Sequence, residues 1–480
     1  MGATGIYLSG GYPGQWQFCS AAEEKEGAVV NRIARRAATM WLLIGLLLGG
    51  LGFFLYEYAT KADNWVMHSG NPHMYAGGAQ SIACGTVVDR DGVPLLALGN
   101  GRGYAADSYV RASLVHWLGD RSGNIDAPVL RQYAEELAGF TPVNGIYGYG
   151  GTGTTARLTL SSKVQKAALE AIGELKGTVA VYNYKTGEIL CAVSTPTFDP
   201  DYVPDFSADQ DGLYEGVYLN RFTQASYIPG SIFKIVTTAA ALEKLPDVQN
   251  DTFACTGTYS IGADRVTCER PHGTVNLRTA MENSCNCYYA RLALQLGADV
   301  LQKAAERYNV TSPVTFDGVR TVSGNFEATG QEKVELAWAA IGQHRDQINP
   351  CAFLTFVGAI AAGGQGVKPH IMAQVGNYTA ASVVQERIMP REIAKQMRVL
   401  MRNNVKSNYG DEHFHGLQVC AKSGTGQVDG GQRPNATFAG FVADEAYPLA
   451  FIVMMENAGY GKQICVPILS KVLAACMEVL

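Results

Sequence analysis

Basic residues are not in excess in this chain. Its 480 residues include 38 Lys and Arg against 43 Asp and Glu, so the formal net charge at pH 7 is −5. Binding to a phosphate backbone needs clustered positive charge, so this balance argues against a nucleic-acid partner. The 11 cysteines are too sparse for a small disulfide-stapled scaffold. Charged residues make up only 17% and hydrophobic residues 47%, which predicts packed globular structure rather than disorder.

Charge is absent from residues 37–56, AATMWLLIGLLLGGLGFFLY. An apolar helix of about 20 residues covers the hydrocarbon core of a bilayer. A buried helix would show a polar stripe, and a cleaved signal peptide would have a shorter apolar run and a cleavage site. We therefore predict a retained transmembrane helix. Arg32, Arg35 and Arg36 precede it, which predicts a cytoplasmic N-terminus and an extracytoplasmic remainder.

The rest of the chain divides by pattern into further segments. We predict a cytoplasmic tail over residues 1–36, a juxtamembrane region over 57–155 and a main domain over 156–480, with glycine-rich GIYGYGGTGT near the last boundary. Strand patterns such as GTVAVYNY and PLAFIVMME occur at both ends of the main domain, with helical patterns between them. This order predicts an α+β fold, in which an antiparallel sheet is completed by both ends and the middle forms an all-helical lobe.

The first candidate for chemistry is Ser231 in YIPGSIFK. Pro229 and Gly230 break the preceding chain, and helical apolar spacing begins at the serine, so Lys234 lies one turn along on the same face. A serine hydroxyl becomes a nucleophile when a neighbouring base takes its proton, and a lysine desolvated in a closed site is such a base. Ser-x-x-Lys alone is a weak signal; its position after Pro-Gly at a helix start strengthens it.

Two further motifs follow in order. Ser284 and Asn286 stand at the junction into a strongly helical run, where a hydroxyl can relay a proton and an amide can hold Lys234. Much later comes the sequence Lys422-Ser423-Gly424-Thr425, on a strand predicted to lie at the sheet edge. We expect the glycine to let a substrate backbone approach this strand, and the polar side chains to bind a carboxylate.

The ordered triple of Ser-x-x-Lys, Ser-x-Asn and Lys-Ser-Gly resembles the penicillin-binding protein and serine β-lactamase superfamily. Flanking segments such as HGTVNLRTAMENSCN and FAGFVADEAYPLAFIVMMENAG also resemble transpeptidase domains, and the likeness covers about residues 156–480. GTVVDRDGVPLLAL further resembles a segment near the start of class B penicillin-binding proteins. The resemblance implies a five-stranded antiparallel sheet with flanking helices.

The resemblance also implies a reaction and its residues. Ser231 would attack the D-Ala-D-Ala end of a peptidoglycan stem peptide with Lys234 as general base, and β-lactams would trap the same serine. Ser284 would pass a proton to the leaving amine, and Asn286 would orient Lys234.

The third motif would hold the substrate. Lys422 would support the proton network and attract the terminal carboxylate, which Ser423 and Thr425 would bind beside Gly424. An amine from a second stem peptide would then resolve the acyl-enzyme into a cross-link.

Three alternatives to this D,D-transpeptidase remain open: a D,D-carboxypeptidase, a β-lactamase or β-lactam sensor, and a catalytically silent assembly scaffold. We expect a bacterial membrane protein without cofactor or metal that contacts other cell-wall synthesis proteins. Cys285 and Cys287 flank Asn286 and are interpreted as small packed side chains. Cys255 and Cys268 bracket a hairpin-like alternation, and we predict that they form a disulfide; two unpaired apolar residues are the alternative.

Overall fold

The computed structural model describes residues 14–66, 85–98, 102–138, 154–328, 330, 332–428 and 430–480. Residues 1–68 and 69–480 form two separate compact units. In the first unit a single helix, α1, runs over Gly14–Val66 and therefore starts well before the predicted span. Its part Ala28–Thr60 is exposed and is long and apolar enough to cross a membrane, which agrees with the transmembrane helix predicted at residues 37–56.

The second unit contains every strand of the described residues. The strands are β1 Thr86–Val88, β2 Pro94–Ala97, β3 Gly103–Tyr104, β4 Thr155–Leu158, β5 Gly177–Asn183, β6 Ile189–Thr195, β7 Thr252–Cys255, β8 Thr258–Ile261, β9 Asp264–Thr267, β10 Gly273–Asn276, β11 Thr315–Phe316, β12 Val319–Arg320, β13 Gln365–Val367, β14 Met372–Val375, β15 Tyr378–Thr379, β16 Val384–Arg387, β17 Val419–Gly426, β18 Asn435–Val442 and β19 Leu449–Met455.

Its helices are α2 Ser108–Leu118, α3 Pro128–Gln132, α4 Ala134–Ala138, α5 Ser162–Ile172, α6 Arg221–Gln224, α7 Lys234–Lys244, α8 Leu277–Glu282, α9 Asn286–Leu296, α10 Ala298–Arg307, α11 Lys333–Ala339, α12 Pro350–Ala361, α13 Arg391–Asn408 and α14 Gly461–Met477. Short 3₁₀ turns occupy Phe206–Ala208, Gly230–Phe233 and Asp411–Phe414.

The central sheet has five antiparallel strands in the order β17–β18–β19–β5–β6. Strands such as β19, with the sequence LAFIVMM, are buried along their whole length because helices cover both faces. Val179 and Val181 belong to the core shared with α5 and α14. Tyr182 points to the opposite face, where Gly358 lets α12 approach its ring. The predicted five-stranded antiparallel sheet is confirmed, and β17 forms its edge.

A second sheet joins the juxtamembrane region to the main domain. Its order is β15–β14–β4–β1–β2–β3, and β1 pairs in parallel with β4. Outside the sheet, the indole N–H of Trp117 donates to the carbonyl of Ala192 at 2.7 Å. The division at residue 155 stays a prediction, and this sheet crosses it. Residues 145–153 of the glycine-rich stretch lie outside the described residues.

The lobe between the two halves of the central sheet differs from expectation. It carries α7–α11, as its helical periodicity predicts, but also the two-stranded pairs β7/β10, β8/β9 and β11/β12. The prediction of an all-helical lobe is therefore wrong. Strands of two to four residues bury few side chains, and of these three pairs only β8/β9, between Cys255 and Cys268, leaves an alternating pattern in the sequence.

Candidate active site

Ser231 lies in the 3₁₀ turn Gly230–Phe233, immediately before α7. Two glycines, which have no side chain, allow this turn to lie in close contact with the edge strand. Gly230 has φ +59°, and a Cβ there would lie 2.6 Å from the carbonyl carbon of Thr425. A Cβ at Gly424 would lie 2.4 Å from Thr437 Oγ1 and 2.7 Å from the Pro229 carbonyl oxygen. The structure thus gives a reason for Gly424 other than substrate approach: the glycine makes room for the serine turn.

Lys234, the first residue of α7, is fully buried. Its Nζ donates to the Ser284 carbonyl at 2.7 Å, to Ser284 Oγ at 3.0 Å and to Asn286 Oδ1 at 2.7 Å. These three acceptors use all three ammonium protons, and no hydrogen bond to Ser231 is present among the described atoms. Burial lowers the pKa of Lys234 to about 8. Loss of one proton near neutral pH would leave a lone pair available as a base.

The second motif lies across the turn between α8 and α9. Ser284 adopts a left-handed backbone with φ +49°, a conformation that costs on the order of 1–3 kcal/mol outside glycine. The Lys234 ammonium holds this residue through both its carbonyl and its hydroxyl. Asn286 begins α9, and its Nδ2 donates to the Thr267 carbonyl at 2.8 Å, so β9 fixes the amide with its oxygen toward Lys234.

Lys422 lies on edge strand β17 and is almost completely buried. Its Nζ donates to the Ser423 carbonyl at 2.8 Å. Burial, followed by the positive charge of Lys234, lowers the pKa of Lys422 well below its usual value. The ammonium is therefore poorly solvated, and an incoming anion would compensate for the lost hydration.

One cleft of about 1010 Å³ brings the three motifs together. Its lining includes Ser231, Ser284, Asn286, Lys422, Ser423, Gly424 and Thr425. Lys234 lies beneath this lining, within hydrogen-bond reach of the second motif. The arrangement offers a hydroxyl at the start of a helix, a buried amine of lowered pKa and a sheet edge bearing hydroxyls. These groups suit acyl transfer through a serine ester, with a carboxylate-bearing substrate along β17.

The family model described as the penicillin-binding protein transpeptidase domain matches residues 177–474. The chain belongs to this family. Peptidoglycan D,D-transpeptidase PbpA of Mycobacterium tuberculosis is 24% identical over 385 residues, covering 73% of this chain and 78% of PbpA.

Two solved structures of this transpeptidase family are similar in fold. The ceftriaxone acyl-enzyme of penicillin-binding protein A from M. tuberculosis has a TM-score of 0.71 at 23% identity, over 82% of this chain and 98% of that one. Penicillin-binding protein PBP2 of Helicobacter pylori, solved with MreC, has a TM-score of 0.59 at 23% identity, over 68% of this chain and 64% of that one.

The predicted disulfide is not formed in this transpeptidase. The sulfur atoms of Cys255 and Cys268 are 3.9 Å apart, and both thiols are free. A disulfide needs a sulfur–sulfur bond of about 2.05 Å. The two residues are nevertheless neighbours, as the hairpin pattern predicts. Cys268 also lies beside Cys285 and Cys287, so its surroundings are more than a pair.

Sequence reasoning missed two cleft-lining residues that hold edge strand β17 in place. Tyr409 Oη accepts from the Ser423 amide at 2.9 Å and donates to Ser423 Oγ at 2.8 Å. Gln343 Nε2 donates to the Thr425 carbonyl at 2.9 Å, and its Oε1 accepts from the Gln427 amide at 3.1 Å. Neither residue stands in a recognisable motif, because each acts only where distant segments meet.

Proposed function

We propose that this chain is a membrane-anchored serine D,D-transpeptidase that cross-links peptidoglycan stem peptides and is acylated by β-lactams. The observation that carries the proposal is the set of three hydrogen bonds from the buried Lys234 Nζ to Ser284 and Asn286, at the base of a cleft that exposes Ser231. Membership of the penicillin-binding transpeptidase family supports it further.

The proposed proton path begins at Lys234 and ends at the leaving group. Neutral Lys234 takes the proton of Ser231 as the hydroxyl attacks the penultimate D-Ala carbonyl. Ser284 Oγ, 3.0 Å from Lys234 Nζ, passes a proton to the departing D-Ala amine and receives in return the proton that Lys234 took from Ser231. Asn286 keeps the amine oriented. Backbone N–H groups of Ser231 and Thr425 stabilise the oxyanion.

Binding is proposed to follow edge strand β17. Lys422 attracts the terminal carboxylate of the substrate, and the hydroxyls of Ser423 and Thr425 donate to it. Gly424 acts indirectly, by keeping the Ser231 turn close to the strand.

The arginines before the apolar segment of α1 support a cytoplasmic N-terminus and an extracytoplasmic cleft. The complex of H. pylori PBP2 with MreC supports docking of other cell-wall synthesis proteins.

Product analysis tests the reaction. Full-length protein in detergent is incubated with a D-Ala-D-Ala stem peptide, with and without an acceptor amine, and the products are identified by mass spectrometry. We expect a cross-linked product that requires both the acceptor and Ser231. Release of D-Ala without cross-linking at any acceptor concentration would favour the carboxypeptidase and contradict the proposal.

Acylation should depend on pH through Lys234. Its pKa is lowered from 10.5 to about 8, so the base form is scarce below pH 8. The second-order rate constant for fluorescent penicillin should rise about tenfold per pH unit toward this value and level off above it. The inflection belongs to Lys234 together with Lys422, because the two charges interact. A flat profile across this range in the wild type would rule out Lys234 as the base.

Gly424→Ala should slow acylation on the order of 10²-fold. The added methyl would meet Thr437 and the Pro229 carbonyl and move the Ser231 turn away from β17, and a displacement of about 1 Å has an effect of this size. The measurement is the acylation rate constant, with folding checked by circular dichroism. Gly103→Ala is the matched control, because a Cβ there has its nearest neighbour at 3.8 Å. Equal rates for both variants would contradict this role of Gly424.

Tyr409→Phe should reduce acylation efficiency by about 5- to 20-fold. The change leaves the Ser423 amide without its acceptor and removes the donor to Ser423 Oγ, a loss of about 1–2 kcal/mol. Stopped-flow acylation at several penicillin concentrations should locate the loss in binding rather than in the chemical step. Tyr184→Phe, which removes only a 3.3 Å bond to the Val442 carbonyl, is the control.

A further inference from the structure

Three cysteines and a histidine converge beside the second motif. Cys255 ends β7, Cys268 follows β9, His272 precedes β10 and Cys285 lies directly before α9. One ligand atom from each lies within 4.8 Å of every other. Cys255 and Cys285 are buried and the other two are half-buried, so the group is shielded but reachable from the cleft, whose lining includes Cys268 and His272.

Three of the distances between these ligand atoms are close to those around a tetrahedral metal ion. Zinc binds sulfur at about 2.3 Å and histidine nitrogen at about 2.0–2.1 Å, so tetrahedral angles put two sulfurs about 3.8 Å apart and sulfur and nitrogen about 3.5 Å apart. Cys268 Sγ lies 3.9 Å from Cys255 Sγ and 3.8 Å from Cys285 Sγ, and Cys255 Sγ lies 3.6 Å from His272 Nδ1. We propose that Cys255, Cys268, Cys285 and His272 bind one zinc ion.

Helix α9 supplies backbone N–H groups that donate hydrogen bonds to two of the sulfur ligands. The amide of Tyr288 donates to Cys285 Sγ at 3.5 Å, and the amide of Cys287 donates to Cys268 Sγ at 3.4 Å. Amides at a helix N-terminus favour the anionic sulfur. The thiol of Cys287 instead donates to the Val266 carbonyl at 3.6 Å, so it is not counted as a ligand.

Zinc binding would replace three thiol protons, which leave to solvent, with one divalent ion held by three thiolates and a neutral imidazole. The ion would tie β7, β9, β10 and α9 together. Cys285 stands between Ser284 and Asn286, so fixing its sulfur also fixes the acceptors of Lys234. This proposal departs from the expectation of a metal-free protein. A Cys255–Cys268 disulfide would compete with the metal, because its formation would consume two ligands.

Metal analysis of the full-length protein in detergent tests the proposal independently of the transpeptidase reaction. Protein purified without chelator should contain about one zinc per chain. After removal of zinc, Co²⁺ should restore a stoichiometric complex with thiolate-to-cobalt charge transfer and the strong visible bands of tetrahedral cobalt. Absence of both signals, or an intact mass lower by two hydrogens with the Cys255 and Cys268 peptides linked, would overturn the site.

Variants identify the ligands. Cys255→Ser and His272→Ala should each lower zinc affinity by at least about tenfold in a competition with a chromogenic chelator. Cys351→Ala, which changes a buried cysteine of α12 outside the cluster, should keep the wild-type affinity. Equal affinity in all three variants would contradict the assignment. If a ligand variant fails to fold, the cobalt spectrum of the wild type still decides the question.

The ion should also influence the neighbouring catalytic geometry. Removing zinc from the wild type should slow acylation by fluorescent penicillin on the order of 10²-fold, and adding zinc back should restore it. Thermal unfolding measured on the same samples separates a local displacement from general loss of fold. Zinc-free protein that acylates at the normal rate would contradict the link between the cluster and Ser284.

Discussion

Ser231→Ala should abolish covalent labelling of the protein by fluorescent penicillin. The substitution removes the oxygen that forms the ester and leaves the 3₁₀ turn, whose contacts to β17 run through Gly230 and Gly424, in place. Loss of a catalytic serine hydroxyl costs on the order of 10⁶-fold in serine hydrolases, so no band should be detectable on a gel.

The control for this experiment is Ser226→Ala, which changes a half-buried serine of the same segment that is hydrogen-bonded to Gln347. Its labelling should equal that of the wild type. Persistent labelling of Ser231→Ala, with a different residue carrying the adduct by peptide mapping, would refute the nucleophile assignment and with it the proposed reaction.

Lys234→Ala should reduce acylation by about 10²- to 10⁴-fold, the usual contribution of a general base. Two effects coincide in this variant. The base disappears, and the Ser284 carbonyl, the Ser284 hydroxyl and the Asn286 amide oxygen lose their shared donor. The measurement is the acylation rate constant as a function of pH, and the variant should lose the rise toward pH 8 that is expected of the wild type.

Lys244→Ala provides the matched control, because this exposed lysine ends the same helix and is not among the residues that line the cleft. It should acylate at the wild-type rate with the wild-type pH profile. A Lys234→Ala variant that keeps both the rate and the profile would assign proton abstraction to another group. Lys422 is the candidate, because it is a buried amine that interacts electrostatically with Lys234.

The parts of the site that sequence predicts are those encoded in short segments. Ser231 and Lys234 are one turn apart by helix geometry, and Ser284 with Asn286 marks a helix start, so local spacing already carries their arrangement. The central sheet could also be predicted from the sequence, because β5, β6, β18 and β19 are long apolar strands.

The parts that sequence missed depend on contacts between distant segments. Tyr409 contacts Ser423 because α13, which it follows, packs against β17. Gln343 contacts Thr425 because its segment of the lobe lies against the same strand. The close packing around Gly424 was not predicted for the same reason, and its role in substrate approach stays a prediction. Its neighbours across the gap, Thr437 and Pro229, come from other parts of the chain.

The cysteine cluster could not be predicted from residues that are close in sequence. Cys255 and Cys268 look like a pair when only their hairpin is considered. The side chains of His272 and Cys285 enter the same space from the residues just before β10 and α9, and four donors around one point have a different chemistry from two.

The six-stranded sheet has a practical consequence for preparing soluble protein. Removing everything before residue 156 would delete β1, β2, β3 and the first residue of β4, and would leave the rest of β4 without its partner β1, with unpaired amides and carbonyls. Such exposed edges recruit other chains, so the shortened protein should aggregate. Removing α1 alone and beginning before β1 at Thr86 keeps the sheet whole, and this is the form to crystallise.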